Sequence, residues 1–480
     1  MADLDTARAP AAGVRSESGH RRPSYGPVSP RVGTRGTQTL QSILDAALEV
    51  FAEKGFHAAT IQDIVAKVGI SRAALYQYFE SKEQIFVELL EVCGAAVVDV
   101  IHQLGDLGPD AEGFANLRWW LGEWSRVYER YSTMFIEWAN IDAPDAPVGT
   151  LVSQFNTHFN RRVAQRLSDA GVVGIDVQDA AIVLTGVILR WNYVRHMSNR
   201  APHDEQEQGY YFAVLVQLML FPATPAEATR GGRDVPRRWS QQRIGGRLAG
   251  RDAVAMPAPY RARTDGLTAR SAGTVRSLVA SAARSFASRG FQRTSIDDVV
   301  TAAGFARGTF YKYFDAKIEL LIALADLCAQ ESIAGARRLE HMTPDAFTTD
   351  FAQWCGSTLS LSEEYRSVYR AWLERSPSSD ELLRLRQAVV EAIERALFIQ
   401  LSGVERGHPL ELRSCEVFLV ALFDQVPDSF ELNRQLHSGD YMARFIAVLL
   451  DRALFGRALD IDLSEGAEPT QPRGIVDDSR

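Results

Sequence analysis

The sequence predicts an all-α chain in which one helical module is used twice, and the prediction rests on a repeat, a periodicity and a motif. Sliding the 480-residue chain by 235 places Phe51, Gly55, Phe56, Ile61, Asp63 and Gly69 on Phe286, Gly290, Phe291, Ile296, Asp298 and Gly304. The same shift places Arg72, Tyr76, Tyr78, Phe79 and Lys82 on Arg307, Tyr311, Tyr313, Phe314 and Lys317, with no gap. Within each copy, apolar residues recur at helical spacing between capping residues and glycine stops. Each copy also holds a pair of short helices joined at a glycine, a helix-turn-helix pattern.

The elements follow in order. Residues 1–36, including RRPSYGPVSPR, read as a disordered basic arm. From Thr39 the apolar positions Ile43, Leu44, Ala47, Leu48 and Phe51 mark a helix that stops at Gly55, a residue suited to a left-handed cap. Thr60 with Asp63 resembles a capping box and opens a second helix that closes at Gly69. Ser71 caps a third helix from Arg72 to Tyr78, and Ser81 caps a fourth that begins at Lys82. On the third helix Leu75 and Phe79 belong to the core. Arg72, Ala73, Tyr76 and Gln77 look elsewhere, and the small Ala73 and Ala74 allow close approach to a groove.

At this point TIQDIVAKVGISRAALYQYFESK and SIDDVVTAAGFARGTFYKYFDAK are similar to the DNA-binding signature of the TetR family of bacterial regulators. The resemblance covers about fifty residues in each half. It implies an all-helical subunit: a three-helix head, a linking fourth helix, and a variable body that binds a small ligand and dimerises. By position it makes Thr60 and Ser295 phosphate-facing caps, Tyr76 and Tyr311 backbone contacts, and Lys82 and Lys317 phosphate contacts. The reading face is Ser71, Arg72, Ala73, Ala74, Tyr76 and Gln77 in the first head, and Arg307, Gly308, Thr309, Tyr311 and Lys312 in the second. The second head departs from the pattern at Ala306, where a serine cap is usual, and at Ile318, where Glu is common. Losing a serine cap costs about 1 kcal/mol.

With the shift at 234, Trp120, Tyr131, Phe135 and Trp138 fall on Trp354, Tyr365, Tyr369 and Trp372, so the repeat extends into the bodies. The domains are therefore a first head, 37–90; a first body, 91–222; a flexible basic linker, 223–271; a second head, 272–325; a second body, 326–456; and a disordered tail, 457–480. Trp120, Trp124, Tyr131, Phe135, Trp138 and Trp191 in the first body, and Trp354, Tyr365, Tyr369 and Trp372 in the second, either line ligand pockets or form ordinary core. In family terms they stand where pocket walls are expected, which implies a small apolar or aromatic effector. Asn192 and Arg195 beside Trp191 either orient a polar group or lie on a solvated helix face.

The bulk numbers narrow the class. The net charge of −8 means that any nucleic-acid binding rests on local charge. Acids and bases balance across 31–90, whereas bases outnumber acids about twofold across 261–325, so the second head carries more of the salt-dependent affinity. Cys93, Cys328, Cys355 and Cys415 form neither a CxxC pair nor a zinc spacing, which fits a reducing cytoplasm with no metal. No signal-peptide core opens the chain, and the apolar run 180–189 is too short for a membrane span. Phosphate-cradling glycine loops, GxSxG and HExxH are absent from the sequence, so no enzyme or cofactor is expected. The leading expectation is an operator-binding regulator, a repressor, folded as an intramolecular pseudo-dimer through segments 179–221 and 411–454. A homodimer of tandem chains and a ligand-binding protein with vestigial heads are the alternatives.

Overall fold

The computed structural model describes residues 34–137, 148–197, 202–230, 259–374, 379–404, 407–433, 435, 437–456, 459 and 461–463. Their regular structure is helical, with no strand among the described residues. They fall into two compact units, 1–91 and 92–480.

The first unit is a head. Helix α1 (Thr34–Lys54) starts earlier than the apolar period indicates, because its polar first turn is carried by the amphipathic stretch behind it. It stops at Gly55, whose φ is 73° and whose N–H bonds to the Phe51 carbonyl at 2.9 Å. Helix α2 (Ile61–Val68) has the expected Thr60/Asp63 capping box and ends on Gly69 at φ 78°. Helix α3 (Arg72–Leu75) is shorter than Arg72–Tyr78. Its continuation is a tighter turn, in which the N–H groups of Tyr78 and Phe79 both reach the Leu75 carbonyl. Helix α4 (Lys82–His102) follows. Ile43, Phe51, Phe56, Ile64, Leu75, Phe79, Ile85 and Phe86 are buried in this head. The rings of Phe51, Phe56 and Phe86 lie 5.1–6.1 Å apart, within the range for favourable tilted contact.

The second unit holds both bodies and the second head. The first body comprises α5 (Ala111–Glu137), α6 (Val148–Asp169), α7 (Val177–Met197), α8 (Pro202–Leu220) and α9 (Ala226–Arg230). A short α10 (Pro259–Thr264) precedes the second head, α11 (Ala269–Arg289), α12 (Ile296–Ala302) and α13 (Arg307–Tyr311). Helix α14 (Lys317–Glu340) leads to α15 (Phe347–Glu364), α16 (Arg366–Glu374), α17 (Asp380–Ser402), α18 (Leu412–Leu432) and α19 (Gly439–Leu450). A wide turn, Asp451–Phe455, closes α19. The repeat persists in detail. Tyr131 is a non-helical kink inside α5, and the aligned Tyr365 is the break between α15 and α16.

Helices α7 and α18, 235 residues apart in sequence, pack against each other at the middle of this unit. Their apolar faces join one core that runs through both bodies. Gly186 lies against α18, where a side chain would meet the Ser429 hydroxyl and touch the Cβ atoms of Gln425 and Ser429 at 3.4 Å. Around it, Arg190 pairs with Asp424 at 2.8 Å and Asn160 donates to Asn433 at 2.9 Å. The buried Asp179 accepts from Tyr441 and contacts His437 at 3.1 Å. Pro427 inside α18 cannot donate to the Phe423 carbonyl, which the Ser362 hydroxyl approaches at 3.1 Å while lying closer, at 2.8 Å, to the Leu359 carbonyl.

Two expectations of disorder are corrected at their edges. The 223–271 linker is folded at both ends. Thr229 in α9 contacts His408 at 2.8 Å and Arg230 bonds to the Gly407 carbonyl at 3.1 Å. In α10 the Tyr260 N–H bonds to Asp326 at 2.8 Å. Neither segment has an apolar period, and each is ordered by docking to a neighbouring helix. Residues 231–258 lie outside the described residues. In the 457–480 tail, Leu459, Ile461 and Leu463 pack on the core, and the Leu459 N–H reaches Asp451 at 3.2 Å. Residues 464–480, and 1–33 of the predicted arm, also lie outside the described residues.

Candidate nucleic-acid interface

In each head a short helix offers one polar edge to solvent. Ser71 accepts from the Ala74 N–H at 3.1 Å and so fixes the start of α3. Arg72, Ala73, Tyr76 and Gln77 are exposed, Ala74 is half-buried, and Leu75 and Phe79 are buried beneath them. In the second head Ala306 supplies no side-chain cap, yet α13 has the same disposition. Arg307, Gly308, Tyr311 and Lys312 are exposed, Thr309 is half-buried, and Phe310 and Phe314 are core. Tyr76 and Tyr311 are exposed alike, with 48% and 47% of their surfaces in water.

The helix before each of these is held by a matching device. Thr60 and Ser295 are exposed N-caps whose hydroxyls accept from the N–H of Asp63 and Asp298 at 3.2 and 3.1 Å. The carboxylates return the bond to the cap N–H at 3.0 and 2.8 Å. Each acid also meets a base from the end of the first helix. Lys54 lies 2.6 Å from Asp63, and Arg289 lies 2.6 Å from Asp298. The Lys54 ammonium, with the Thr60 hydroxyl and N–H, holds the Asp63 carboxyl down at about 2. The Ser295 N–H and hydroxyl, with Arg289 behind them, lower Asp298 likewise.

Lys82 and Lys317 do not stand as free phosphate contacts. Lys82 Nζ donates to the carbonyls of Phe56, Ala59 and His57 at 2.7, 2.9 and 3.3 Å, and lies 4.5 Å from the Phe56 ring centre. Lys317 repeats this on Phe291, Thr294 and Gln292 at 2.7, 2.7 and 3.3 Å, and lies 4.4 Å from the Phe291 ring. An ammonium has three N–H groups, and these carbonyls use them all. The side chains thus tie the loop after the first helix to the start of the fourth. Partial burial lowers the pKa of Lys317.

The aromatic candidates do not converge on one site. Trp120 and Trp124 are buried, with ring centres 6.4 Å apart, and Trp124 contacts Phe135 and Phe159 at 6.4 and 5.7 Å. Both indole N–H groups lack an acceptor among the described residues. Trp191 stacks on Phe212 at 4.3 Å, Asn192 donates to the Ile188 carbonyl at 2.9 Å, and Arg195 pairs with Glu129 at 3.1 Å. In the second body Trp354 stacks on Phe351 and its N–H reaches the Gly335 carbonyl at 2.9 Å, so it is satisfied core. Tyr365, Tyr369 and Trp372 belong to a separate core beneath the second head. There Tyr365 bonds to Glu331 and Tyr369 to Ser332, each at 3.2 Å. Trp138 lies outside the described residues.

Two residues were missed by sequence reasoning. Arg263 in α10 donates to the Tyr313 carbonyl at 2.9 Å and pairs with Glu319 at 3.0 Å, so the end of the linker braces the second head. Asp297 in α12 pairs with Arg307 at 2.7 Å. Its signal was available as a charge difference, because the aligned residue in the first head is Gln62.

Residues 43–89 and 278–324 each match the family described as bacterial regulatory proteins, tetR family. A 57-residue stretch is 40% identical to an uncharacterized HTH-type transcriptional regulator, YdgC, of Bacillus subtilis, covering 12% of this chain and 29% of that protein. Over 129 residues the chain is 26% identical to IcaR of Staphylococcus aureus, an HTH-type negative transcriptional regulator of the biofilm operon icaADBC; this covers 26% of the chain and 66% of IcaR. The matches span less than two thirds of the length of either relative.

Proposed function

We propose that this chain, a tandem protein of the tetR type with two DNA-binding heads, is a ligand-responsive transcriptional repressor whose unlike heads read the two half-sites of one operator. The observation that carries this reading is the pair of exposed edges, Arg72/Tyr76/Gln77 and Arg307/Tyr311/Lys312, each on a short helix anchored by buried aromatic or aliphatic residues. Arginine and glutamine at such an edge can donate to base edges or phosphates, and the tyrosine hydroxyls can reach the backbone. Thr60 and Ser295 lie at helix N-termini, where exposed N–H groups favour phosphate.

The packing of α7 on α18 supports the pseudo-dimer: the faces that a two-subunit protein of this kind would use between chains are occupied within one. Linkage keeps the second head at roughly millimolar effective concentration for its half-site. In a two-fold arrangement of heads, half-sites are centred about 34–36 Å apart. In this reading the effector site lies in the first body. Among the described residues its buried Trp120 and Trp124 carry N–H groups without acceptors, as does Trp372 in the second body, whereas Trp354, aligned with Trp120, is satisfied by protein. A small aromatic ligand bearing an acceptor would satisfy those N–H groups, and its binding would favour one position of the linking helix over another.

Retardation of duplexes selected from a random pool tests the proposal. The full chain should select an imperfect palindrome, and Arg72→Ala and Arg307→Ala should each weaken retention. A strict palindrome, or binding indifferent to both substitutions, would refute it. Light scattering on the DNA complex should report one chain per operator.

A further inference from the structure

The heads differ at the residue that leads their reading face. Arg307 donates from one terminal nitrogen to Asp297 at 2.7 Å and from the other to the Tyr311 hydroxyl at 3.3 Å, and its guanidinium carbon lies 5.8 Å from the Tyr311 ring. Asp297 and Arg307 are both more than half exposed, so they form part of the surface offered to DNA. In the first head Gln62 stands at the position of Asp297, and the Arg72 side chain has no hydrogen-bond or ion-pair partner among the described residues.

Building on the regulator reading above, we infer that Asp297 is a specificity-determining residue: it holds Arg307 in the orientation that reads a guanine in the half-site of the second head. A guanidinium carries five N–H groups. The bonds to Asp297 and Tyr311 use one on each terminal nitrogen, leaving one on each and the Nε–H. Guanine offers paired acceptors, O6 and N7, to such a fork. An arginine tethered on the side away from the base keeps that fork aimed, while a free arginine also settles on any phosphate within reach. The carboxylate adds a second effect. Held near DNA, it repels phosphate, so it weakens every binding mode in which Arg307 does not repay its presence with a good base contact. The ion pair is loose in water and tightens when DNA excludes solvent from it. Arg72, without a carboxylate, contributes affinity with less discrimination.

The test measures dissociation constants of the full chain for its selected duplex and for the same duplex with that guanine pair changed to adenine. Wild type should discriminate by about tenfold to a hundredfold, the range for a bidentate arginine–guanine contact. Asp297→Ala should bring the ratio within about threefold, chiefly by tightening binding to the altered duplex. Gln62→Asp in the first head should introduce a guanine preference at the other half-site; this second variant leaves the second head untouched, and thermal unfolding confirms that each variant is folded. If Asp297→Ala strengthens both duplexes equally and leaves the ratio unchanged, or if the selected half-site holds no guanine that depends on Arg307, the inference is overturned while the regulator reading stands. Failure of the wild-type chain to retain any duplex overturns both.

Discussion

Replacing Lys82 or Lys317 by Met separates two roles for the same side chain. Met keeps the length and apolar stem and removes the ammonium. In the first head the substitution deletes hydrogen bonds of 2.7 and 2.9 Å, a weaker one of 3.3 Å, and a cation held 4.5 Å from the Phe56 ring. A hydrogen bond from a charged donor contributes about 1.5–3 kcal/mol, and an exposed cation–π contact about 0.5–1 kcal/mol. Two good bonds and the ring contact would reach about 5 kcal/mol, but the carbonyls are partly solvated and recover water, so a loss of about 3 kcal/mol is expected. Lys317, with carbonyl distances of 2.7, 2.7 and 3.3 Å, should lose about the same. The assay is thermal unfolding followed by helical circular dichroism, with amide exchange to locate the loss in the altered head. Beside it runs the slope of operator affinity against salt, at a temperature where the variant is folded. A phosphate contact would leave stability alone and lower the magnitude of the slope by about 0.9. The capping geometry predicts the reverse, and an unchanged melt with a reduced slope would refute it.

Three further outcomes follow from particular contacts. Asp63 is held down at about 2 against an ordinary 3.8, so its contribution is complete above the ordinary value and is lost as pH falls towards 2. Acid unfolding of the first head should therefore steepen between pH 4 and 2, and Asp63→Asn should flatten it in a circular dichroism titration. Gly186→Val should push on Ser429, whose hydroxyl lies 2.3 Å from a Cβ built there, and cost about 1–3 kcal/mol by overpacking. Ser429→Gly should restore part of the loss in denaturant melts. Cys93, Cys328, Cys355 and Cys415 are all buried, and burial pushes the thiols of Cys93 and Cys328 up to about 12. A thiol reagent at pH 8 should label none of them until denaturant is added, and rapid labelling of the native chain would contradict that burial.

The heads were legible because their signals are local. Thr60, Gly69 and Ser71 act within four residues of where they stand, so caps and stops read from the chain reappear in the structure. The end of α3 was misjudged because an α-helix and a tighter turn place Leu75 and Phe79 on one face alike. The role of Lys82 was hidden for a different reason. Its partners lie 23–26 residues away and are backbone carbonyls, which leave no mark on residue identity. The aromatic candidates show the same limit: Trp120 and Trp354 align, yet among the described residues only the second has an acceptor, and that acceptor is the carbonyl of Gly335. Docked segments such as α9 and α10 carry too few apolar residues to announce themselves.

The crossing of α7 and α18 bears on why the two modules share a chain. Were the first module to pair with a copy of itself in this register, Arg190 would face Leu189 in place of Asp424, and Gly186 would face Val194 in place of Ser429. The first exchange strands an arginine that is only 10% exposed, and the second forces a branched side chain into the closest approach. Leaving one member of a buried ion pair without its partner costs about 3–5 kcal/mol, and overpacking about 1–3 kcal/mol. A self-pair repeats each penalty at both symmetry-related positions. The second module gains no advantage from its own copy, since Asp424 would then face Gln425, and Ser429 would face Ala421. Pairing of α7 with α18 within the chain therefore keeps contacts that a self-pair of the first module would lose.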